Sequence, residues 1–550
     1  MKFLLAQINP VVGDLEGNAK KILNIASKAS SISADFVLTP ELSLWGYPAN
    51  DLLLKKNLIK NQYQILDQLA LVINEKYGNL SITVGIAEII NDSFFPNLYN
   101  SVALLEGGGW KIIARKIILP TYEVFDEKRY FRSGEKVSVL TKEIHNKTWR
   151  IGFTICEDLW VNKDIEGRGI HRKNPIIDLK KKKVDILVNL SASPYTLKKL
   201  ELRSKVSSFA AQYLQVPLIY VNQIGANDNL IFDGNSFILD KNGSKIKQLK
   251  SFSEDLSSWG IEQIKPEKNE FKNSEMSSIF DALVLGVRDY AQKCGFKTAL
   301  IGLSGGIDSA LVSAIATAAL GSNNIYCVSM PSKWSSSHSK SDAKDLARRL
   351  KINFNSIPIE NLMNSFEESF IKTISFEMAE ITNQNIQSRI RGTLLMAIAN
   401  QEKHLLLSTG NKSELAVGYC TLYGDMNGGL SVIGDLYKTN VFKLCNWLDS
   451  EDSINHRKSY MLDTNVDIIG ENIRTKAPSA ELGPDQLDTD SLPPYSILDN
   501  ILKGIIEEKK DLLQLEEDGY KKDLILKIIS LIKKAEFKRK QAPPILKLSS

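Results

Sequence analysis

The feature that most constrains this chain is the run Lys297-Thr-Ala-Leu-Ile-Gly-Leu-Ser-Gly-Gly-Ile-Asp-Ser309, which continues into Ala310-Leu-Val-Ser-Ala-Ile. A short apolar stretch ends in a hydroxyl, two glycines, an aspartate and a second hydroxyl, then becomes an alanine-rich helix. That order predicts a strand, a tight turn and a helix. Gly305 and Gly306 let backbone N–H groups turn inward, and the helix that follows offers its positive end to an anion. A Walker loop needs a lysine after its last glycine, and none stands here. Asp308 is placed instead to hold a magnesium ion on bound phosphates.

Three segments of the first half put ionisable residues at the ends of apolar runs. Ile151-Gly-Phe-Thr-Ile-Cys156-Glu-Asp-Leu-Trp160 ends a strand at a cysteine, Phe36-Val-Leu-Thr-Pro-Glu41 ends one at a glutamate, and Ala114-Arg-Lys116 sets a lysine ahead of a Pro-containing turn. A lone cysteine in such a place is ordinarily a buried hydrophobe, but open α/β sheets gather their chemistry at strand exits.

These segments carry two resemblances. The string Ser304-Gly-Gly-Ile-Asp-Ser309 resembles the PP-loop of ATP pyrophosphatases, which adenylylate a carbonyl oxygen and release pyrophosphate. Glu41, Lys116 and Cys156 together resemble the Glu–Lys–Cys triad of the carbon–nitrogen hydrolase (nitrilase) family. Chemistry accounts for the residue types: a thiolate attacks an amide carbon, Glu41 takes the thiol proton and later activates water, and Lys116 stabilises the oxyanion. No histidine is needed, in keeping with a chain that has five, none spaced for a Ser-His-Asp site. Glu127 looks like the family's second glutamate, which positions Lys116.

A chain of 550 residues is too long for one core and suits two domains. Residues 1–250 alternate β-rich runs (Phe3–Ile8, Phe36–Leu38, Ser81–Ile86, Ser101–Leu105, Ile186–Leu190, Pro217–Val221, Ser236–Leu239) with amphipathic helices at 18–30 and 203–215. Residues 251–275 are polar, without periodicity, and read as a linker. From residue 276 to 550 helices and strands alternate as βαβ units, which predicts a doubly wound parallel sheet with Asp308 beyond its first strand. The fold class is therefore α/β throughout. The resemblances imply an αββα nitrilase-like sandwich in the first domain and an adenine nucleotide α-hydrolase-like fold in the second.

A formal charge of +5 over this length is too dilute, and its basic residues too little interleaved with aromatics, to indicate nucleic acid. No apolar run of about eighteen residues exists to span a membrane, and the N-terminal apolar stretch is too short for a signal peptide. Five widely spaced cysteines with no C-x-x-C suggest neither a disulfide framework nor a zinc site. The expected setting is a reducing cytoplasm.

The second half adds Asn385-Ile-Gln-Ser-Arg-Ile-Arg391, Thr409-Gly-Asn411-Lys-Ser-Glu414, Asp435-Leu-Tyr-Lys438, Pro478-Ser479 and Lys538-Arg-Lys-Gln541, in that order. With the first half, this set resembles the glutamine-dependent NAD synthetase family over essentially the whole chain. The resemblance implies that ATP adenylylates deamido-NAD on its nicotinate carboxylate and that ammonia from glutamine then displaces AMP. It places ATP against Gly302, Leu303, Ser304, Gly305, Gly306, Ile307, Asp308, Ser309, Thr409, Lys438 and Ser479, and deamido-NAD against Asn385, Glu414 and Lys538. Magnesium falls to Asp308 and Glu414. In the hydrolase half, Glu157 would take the α-amino group of glutamine, Tyr122 would cap the site, and Ser193 and Lys199 would meet the α-carboxylate. Some relatives carry arginine at the position of Lys199, and lysine offers a point charge in place of a bidentate fork. The family also implies a protected ammonia path and a homo-oligomer, at least a dimer through the synthetase domains. The loop 329–339 reads as a lid on the nucleotide.

Two other readings stay open at this level. One is an amidase fused to an adenylylating ligase with another acceptor, such as a tRNA base. The other is a degenerate hydrolase scaffold, against which the intact Glu41, Lys116 and Cys156 stand.

Overall fold

The computed structural model describes residues 1–92, 94–122, 124–161, 173–263, 265, 274–374, 378–483 and 486–549. The chain divides into two compact units, Met1–Lys272 and Asn273–Ser550.

The first unit is built on two six-stranded sheets. One has the order Asp255–Gly260, Lys2–Gln7, Phe36–Leu38, Ser81–Ile89, Leu98–Glu106, Gly109–Arg115; the other runs Lys245–Gln248, Phe237–Leu239, Leu218–Asn222, Ile186–Ser191, Lys147–Ile155, Ser138–Ile144. Side chains alternate between the faces of a strand, and that alternation makes the layers. Phe3, Leu5, Phe36 and Leu38 share one core with Ile151, Phe153, Ile155 and Val188 of the other sheet. Leu4, Ala6, Val37 and Ile82 face the other way, onto helices Leu15–Ser31 and Lys56–Tyr77. Leu187, Leu218 and Leu239 pack on helices Pro175–Lys181 and Lys199–Leu214. The layers are α, β, β, α.

The stretch expected as a linker departs from that expectation in part. Asp255–Gly260 is a strand, antiparallel to Lys2–Gln7 from Asp255 opposite Gln7 to Gly260 opposite Lys2. Its polar sequence hides it, since the pairing comes from an open sheet edge some 250 residues earlier and not from local pattern. The remainder of that stretch includes residues 264 and 266–273, which lie outside the described residues.

The second unit carries a five-stranded sheet, all parallel, in the order Asn353–Ser356, Ile325–Ser329, Ala299–Gly302, Leu405–Ser408, Leu430–Ser431. Leu300, Val328 and Leu406 pack on Ile390 and Ala399 of helix Glu380–Glu402. Ala299 and Ile301 point the other way and are equally buried, so both faces are covered. Strand order reverses at Ala299–Gly302, and ligands of such sheets bind in the crevice at that reversal. Helix Ile307–Leu320 starts there. It is apolar nearly all round and buried along most of its length, as a helix enclosed by others must be. Among the described residues no helix is long and apolar enough to cross a membrane, and all five cysteines are free thiols.

Candidate functional site

Three strand ends of the first unit converge on one buried cluster. Lys116 follows Gly109–Arg115 directly, Cys156 follows Lys147–Ile155, and Glu41 lies three residues beyond Phe36–Leu38. Lys116 Nζ donates to Glu41 Oε1 and to Glu127 Oε1, each at 2.6 Å. Asn100 Nδ2 donates to the same Glu41 oxygen at 2.7 Å, and the Ala192 N–H to the other at 3.0 Å. Glu127 also accepts the Tyr47 hydroxyl at 2.8 Å.

Local backbone makes the convergence possible. Leu42 turns the chain after Glu41 with φ +44°, so close to Gly85 that a Cβ there would lie 2.2 Å from the Leu42 nitrogen. Cys156 has φ +44° as well, a conformation that a non-glycine residue keeps only when its surroundings impose it. Asn189 Nδ2 donates to the Cys156 carbonyl at 3.4 Å. Asp158 accepts the N–H groups of Ile155, Ile117 and Ile118 at 3.0, 3.0 and 2.8 Å. One buried carboxylate thus ties the segment carrying Cys156 to the segment carrying Lys116.

Burial dominates the electrostatics. It pushes the Cys156 thiol well above its usual range, and the charge of Glu41 pushes further while Lys116 opposes. Burial also works against the charge of Lys116, but Glu127 and Glu41 outweigh it and hold the ammonium well above its ordinary value. Glu127 is pushed up to about 7 by burial, with Lys116 opposing. Cys156 is therefore held as a thiol, and its proton would have to leave before the sulfur could attack a carbonyl.

The candidate glutamine contacts lie around this cluster. The Tyr122 hydroxyl donates to Glu157 Oε2 at 2.8 Å. Ser193 is buried next to Ala192, which touches Glu41, and its N–H donates to Asn222 Oδ1 at 2.9 Å. Lys199 Nζ stands 5.1 Å from the ring centre of Trp160, four residues past Cys156.

In the second unit the glycine turn borders a cavity of about 290 Å³. Gly305 has φ +84°, and a Cβ on it would fall 2.2 Å from the Ser339 carbonyl oxygen. Gly306 precedes helix Ile307–Leu320; its N–H donates to Ser304 Oγ at 3.1 Å, and its carbonyl accepts the Ser309 hydroxyl at 3.0 Å. Every candidate ATP residue except Gly305 lines the cavity, as does Glu414. Lys438, 3% exposed, bonds Asp308 Oδ2 and donates to Glu414 Oε1 at 3.2 Å. Asn411 Nδ2 donates to Asp308 Oδ1 at 3.0 Å. Burial opposes the charge of Lys438, yet Asp308 and Glu414 hold it far above its usual value. Glu414 itself is pushed up to about 7 by burial, with Lys438 opposing. The Ser479 hydroxyl donates to the Gln486 carbonyl and accepts the Glu481 N–H at 3.1 Å.

Asn385 and Lys538 stand outside the cavity lining. Both hold the adjoining turn: Thr421 Oγ1 donates to Asn385 Oδ1 at 3.0 Å, and Lys538 Nζ donates to the Gly418 and Cys420 carbonyls at 2.9 and 2.6 Å. The loop 329–339 runs into helix Ser337–Leu350, and the Ser336 and Ser339 hydroxyls both donate to Glu481 Oε1. Sequence reasoning gave no role to Asn100, Tyr47 and Asp158 in the first site, nor to Asn411 and Arg391 in the second. Arg391 lines the cavity, donates from Nε to the Met330 carbonyl at 3.0 Å, and is pulled down to about 10 by burial. Asn411 had a local signal, the N-x-x-E spacing of a capping box with Glu414.

Comparison with known proteins accounts for both halves. The carbon–nitrogen hydrolase family profile matches residues 5–264, and the NAD synthase profile matches residues 279–542. The glutamine-dependent NAD(+) synthetase of Synechocystis is 45% identical, over 99% of this chain and 95% of its own length. That of Thermotoga maritima is 36% identical over 100% and 96%. The solved structure of the Acinetobacter baumannii glutamine-dependent NAD+ synthetase in complex with ADP is 36% identical, aligns over 100% of this chain and 96% of that one, and superposes with a TM-score of 0.77. This chain belongs to the family of glutamine-dependent NAD(+) synthetases.

Proposed function

We propose that the chain catalyses the ATP-dependent amidation of deamido-NAD to NAD, the last step of NAD biosynthesis, with ammonia cut from glutamine. The observation that carries this reading is the pairing, within one chain of this family, of the buried Glu41–Lys116–Cys156 cluster and a glycine-turn cavity floored by Lys438.

In the hydrolase unit, Cys156 Sγ attacks the side-chain amide carbon of glutamine while Glu41 takes the thiol proton. Lys116 Nζ stabilises the oxyanion, and Glu41 returns the proton to departing ammonia. Water, deprotonated by Glu41, then cleaves the thioester and releases glutamate. Glu157 with Tyr122, and Ser193 with Lys199, orient the α-groups of the substrate, and Glu127 positions Lys116.

In the synthetase unit, the nicotinate carboxylate attacks the α-phosphorus of ATP and pyrophosphate leaves. Ammonia then attacks the acyl carbon and AMP departs. A carboxylate alone would have no comparable leaving group. The turn from Gly302 to Ser309, with Thr409, Lys438 and Ser479, holds the nucleotide, and the helix N-terminus meets its phosphates. Asn385, Glu414 and Lys538 serve the dinucleotide.

Magnesium fits this site by donor chemistry. Asp308 and Glu414 offer carboxylate oxygens that converge on one cation, Lys438 Nζ, and magnesium typically takes one or two carboxylates and completes its shell with phosphates. Among the described residues no trio of acidic, His or Cys side chains could hold an ion alone, which is consistent with nucleotide supplying the rest. Bound there, the ion would neutralise phosphate charge.

Assembly through the synthetase units is part of the same reading. Exposed Phe366 and Ile381, on helices Glu360–Ile374 and Glu380–Glu402, support it; a monomeric mass by light scattering would remove it.

The test is a single assay with ATP, magnesium, deamido-NAD and either glutamine or ammonium, following NAD. NAD from both nitrogen sources is expected. NAD from ammonium alone would remove the hydrolase role, and none from either would overturn the reading.

A further inference from the structure

Beyond helix Glu536–Arg539 the chain crosses the edge of the second unit's sheet. The Ser431 N–H donates to the Pro544 carbonyl at 2.8 Å, the Leu546 N–H returns to the Ser431 carbonyl at 3.3 Å, and Ile545 pairs in parallel with Ser431. Leu546 and Leu548 are fully buried. Covering a sheet edge would account for that much. The next residues make contacts that edge protection does not require. The N–H groups of Leu548 and Ser549 donate to Asp435 Oδ2 at 2.6 and 2.7 Å, and the Ser549 hydroxyl donates to Asp435 Oδ1 at 2.8 Å. Lys412, 8% exposed, closes the group: its Nζ lies 2.8 Å from Asp435 Oδ1, 2.7 Å from Glu507 Oε1 and 2.8 Å from Ser549 Oγ.

Neither Lys412 nor Asp435 lines the nucleotide cavity, but Lys412 opens helix Lys412–Val417 and Asp435 lies in the turn before helix Lys438–Leu448, next to residues that carry the charged contacts there. Asp435 comes three residues before Lys438. Beside Lys412, Asn411 donates to Asp308, the Ser413 hydroxyl oxygen accepts the Lys438 N–H at 2.9 Å, and Glu414 meets Lys438 Nζ. The Lys412 N–H also donates to the Leu436 carbonyl at 3.0 Å. A buried ion pair often adds little net stability, and in some proteins its role is to fix the register of the segments it joins.

We propose that residues 544–549 form a positioning strap for adenylyl transfer, acting through Lys412 and Asp435 to set the spacing of Lys438 and Asp308. This rests on the reading of the cavity as the ATP site. It assigns a role in the reaction to residues that touch no substrate.

Exchange of labelled pyrophosphate into ATP, with deamido-NAD and without any nitrogen source, isolates the adenylylation step. In the full chain, Lys412→Met and removal of residues 545–550 should each lower the exchange kcat by about tenfold or more, the scale of loss when a positioned group drifts by a fraction of an ångström. Lys412→Arg should restore most of it. Ser549→Ala, which deletes one hydroxyl and spares the fold, should give a smaller fall in kcat with the KM for deamido-NAD unchanged. Glutamine hydrolysis without ATP reports on the first unit and should be unaltered throughout. A lowered thermal midpoint with parental exchange per folded molecule, in Lys412→Met and Ser549→Ala alike, overturns the strap alone. A parent enzyme that shows no exchange overturns the assignment of the cavity, and the proposal with it.

Discussion

Lys116 serves two glutamates at once. A single buried ammonium cannot neutralise two buried carboxylates, and the strain of that arrangement falls on Glu127, pushed up to about 7 by burial against the pull of Lys116. Its Oε2 has no hydrogen-bond partner among the described residues, as suits a carboxyl that is neutral over part of the working range. The sign of the linkage follows. A carboxyl whose folded pKa is raised contributes stability that is full below its unfolded value and lost as pH rises through about 7. Glu127→Gln keeps a neutral side chain at all pH. Relative to the parent, its thermal midpoint should therefore improve between pH 6 and pH 8, and its kcat/KM for glutamine should lack an inflection near 7. Parallel profiles for the two proteins would clear Glu127 of titrating there. Cys156 gives a sharper expectation. Cys156→Ala removes the proposed nucleophile, so glutamine-supported NAD formation should fall by about a thousandfold or more, while ammonium-supported formation stays within about twofold. Equal losses with both nitrogen sources would place Cys156 outside amide cleavage.

At the scale of elements, the glycine turn is the most sensitive point. Gly305→Ala places a methyl carbon 2.2 Å from the Ser339 carbonyl at φ +84°, which neither the backbone nor the start of helix Ser337–Leu350 can relieve without moving. NAD formation should fall about a hundredfold with either nitrogen source, and glutamine hydrolysis should persist; a variant with parental KM for ATP would show that the turn does not cradle phosphate. This turn was legible because its chemistry is local: an apolar run, two glycines, an aspartate and a helix follow one another. Glu41, Lys116 and Cys156 were legible for the same reason, each closing an apolar strand. Asn100 and Tyr47 were not. They reach Glu41 and Glu127 across 59 and 80 residues of sequence, and a buried asparagine or tyrosine in a strand or turn carries no mark of its partner. The strands Ser138–Ile144 and Lys245–Gln248 escaped for a related reason. They lie at the two edges of one sheet, half exposed, where apolar alternation weakens and pairing is dictated by the neighbour.

At the scale of the whole molecule, each unit has buried apolar clusters of its own. Among the described residues, apolar clusters of the first unit draw on residues 1–261, and two of the second draw on residues between Leu300 and Ile532. A chain built from two such units need not unfold in one step. Ligands then act as labels for the unit that binds them, because binding to the folded form alone stabilises that form by mass action. ATP at a hundred times its dissociation constant contributes about 2.7 kcal/mol, which for a unit of this size moves a midpoint by about 5 °C. Differential scanning calorimetry should accordingly show two transitions, of which ATP with magnesium raises one and leaves the other in place. Lys438→Met, which removes the cation between Asp308 and Glu414, should abolish most of that shift without altering the second transition. A single transition would mean that the two units melt as one cooperative body, and joint movement of two transitions under ATP would mean that their stabilities are coupled; either way the division of stability between them would have to be abandoned.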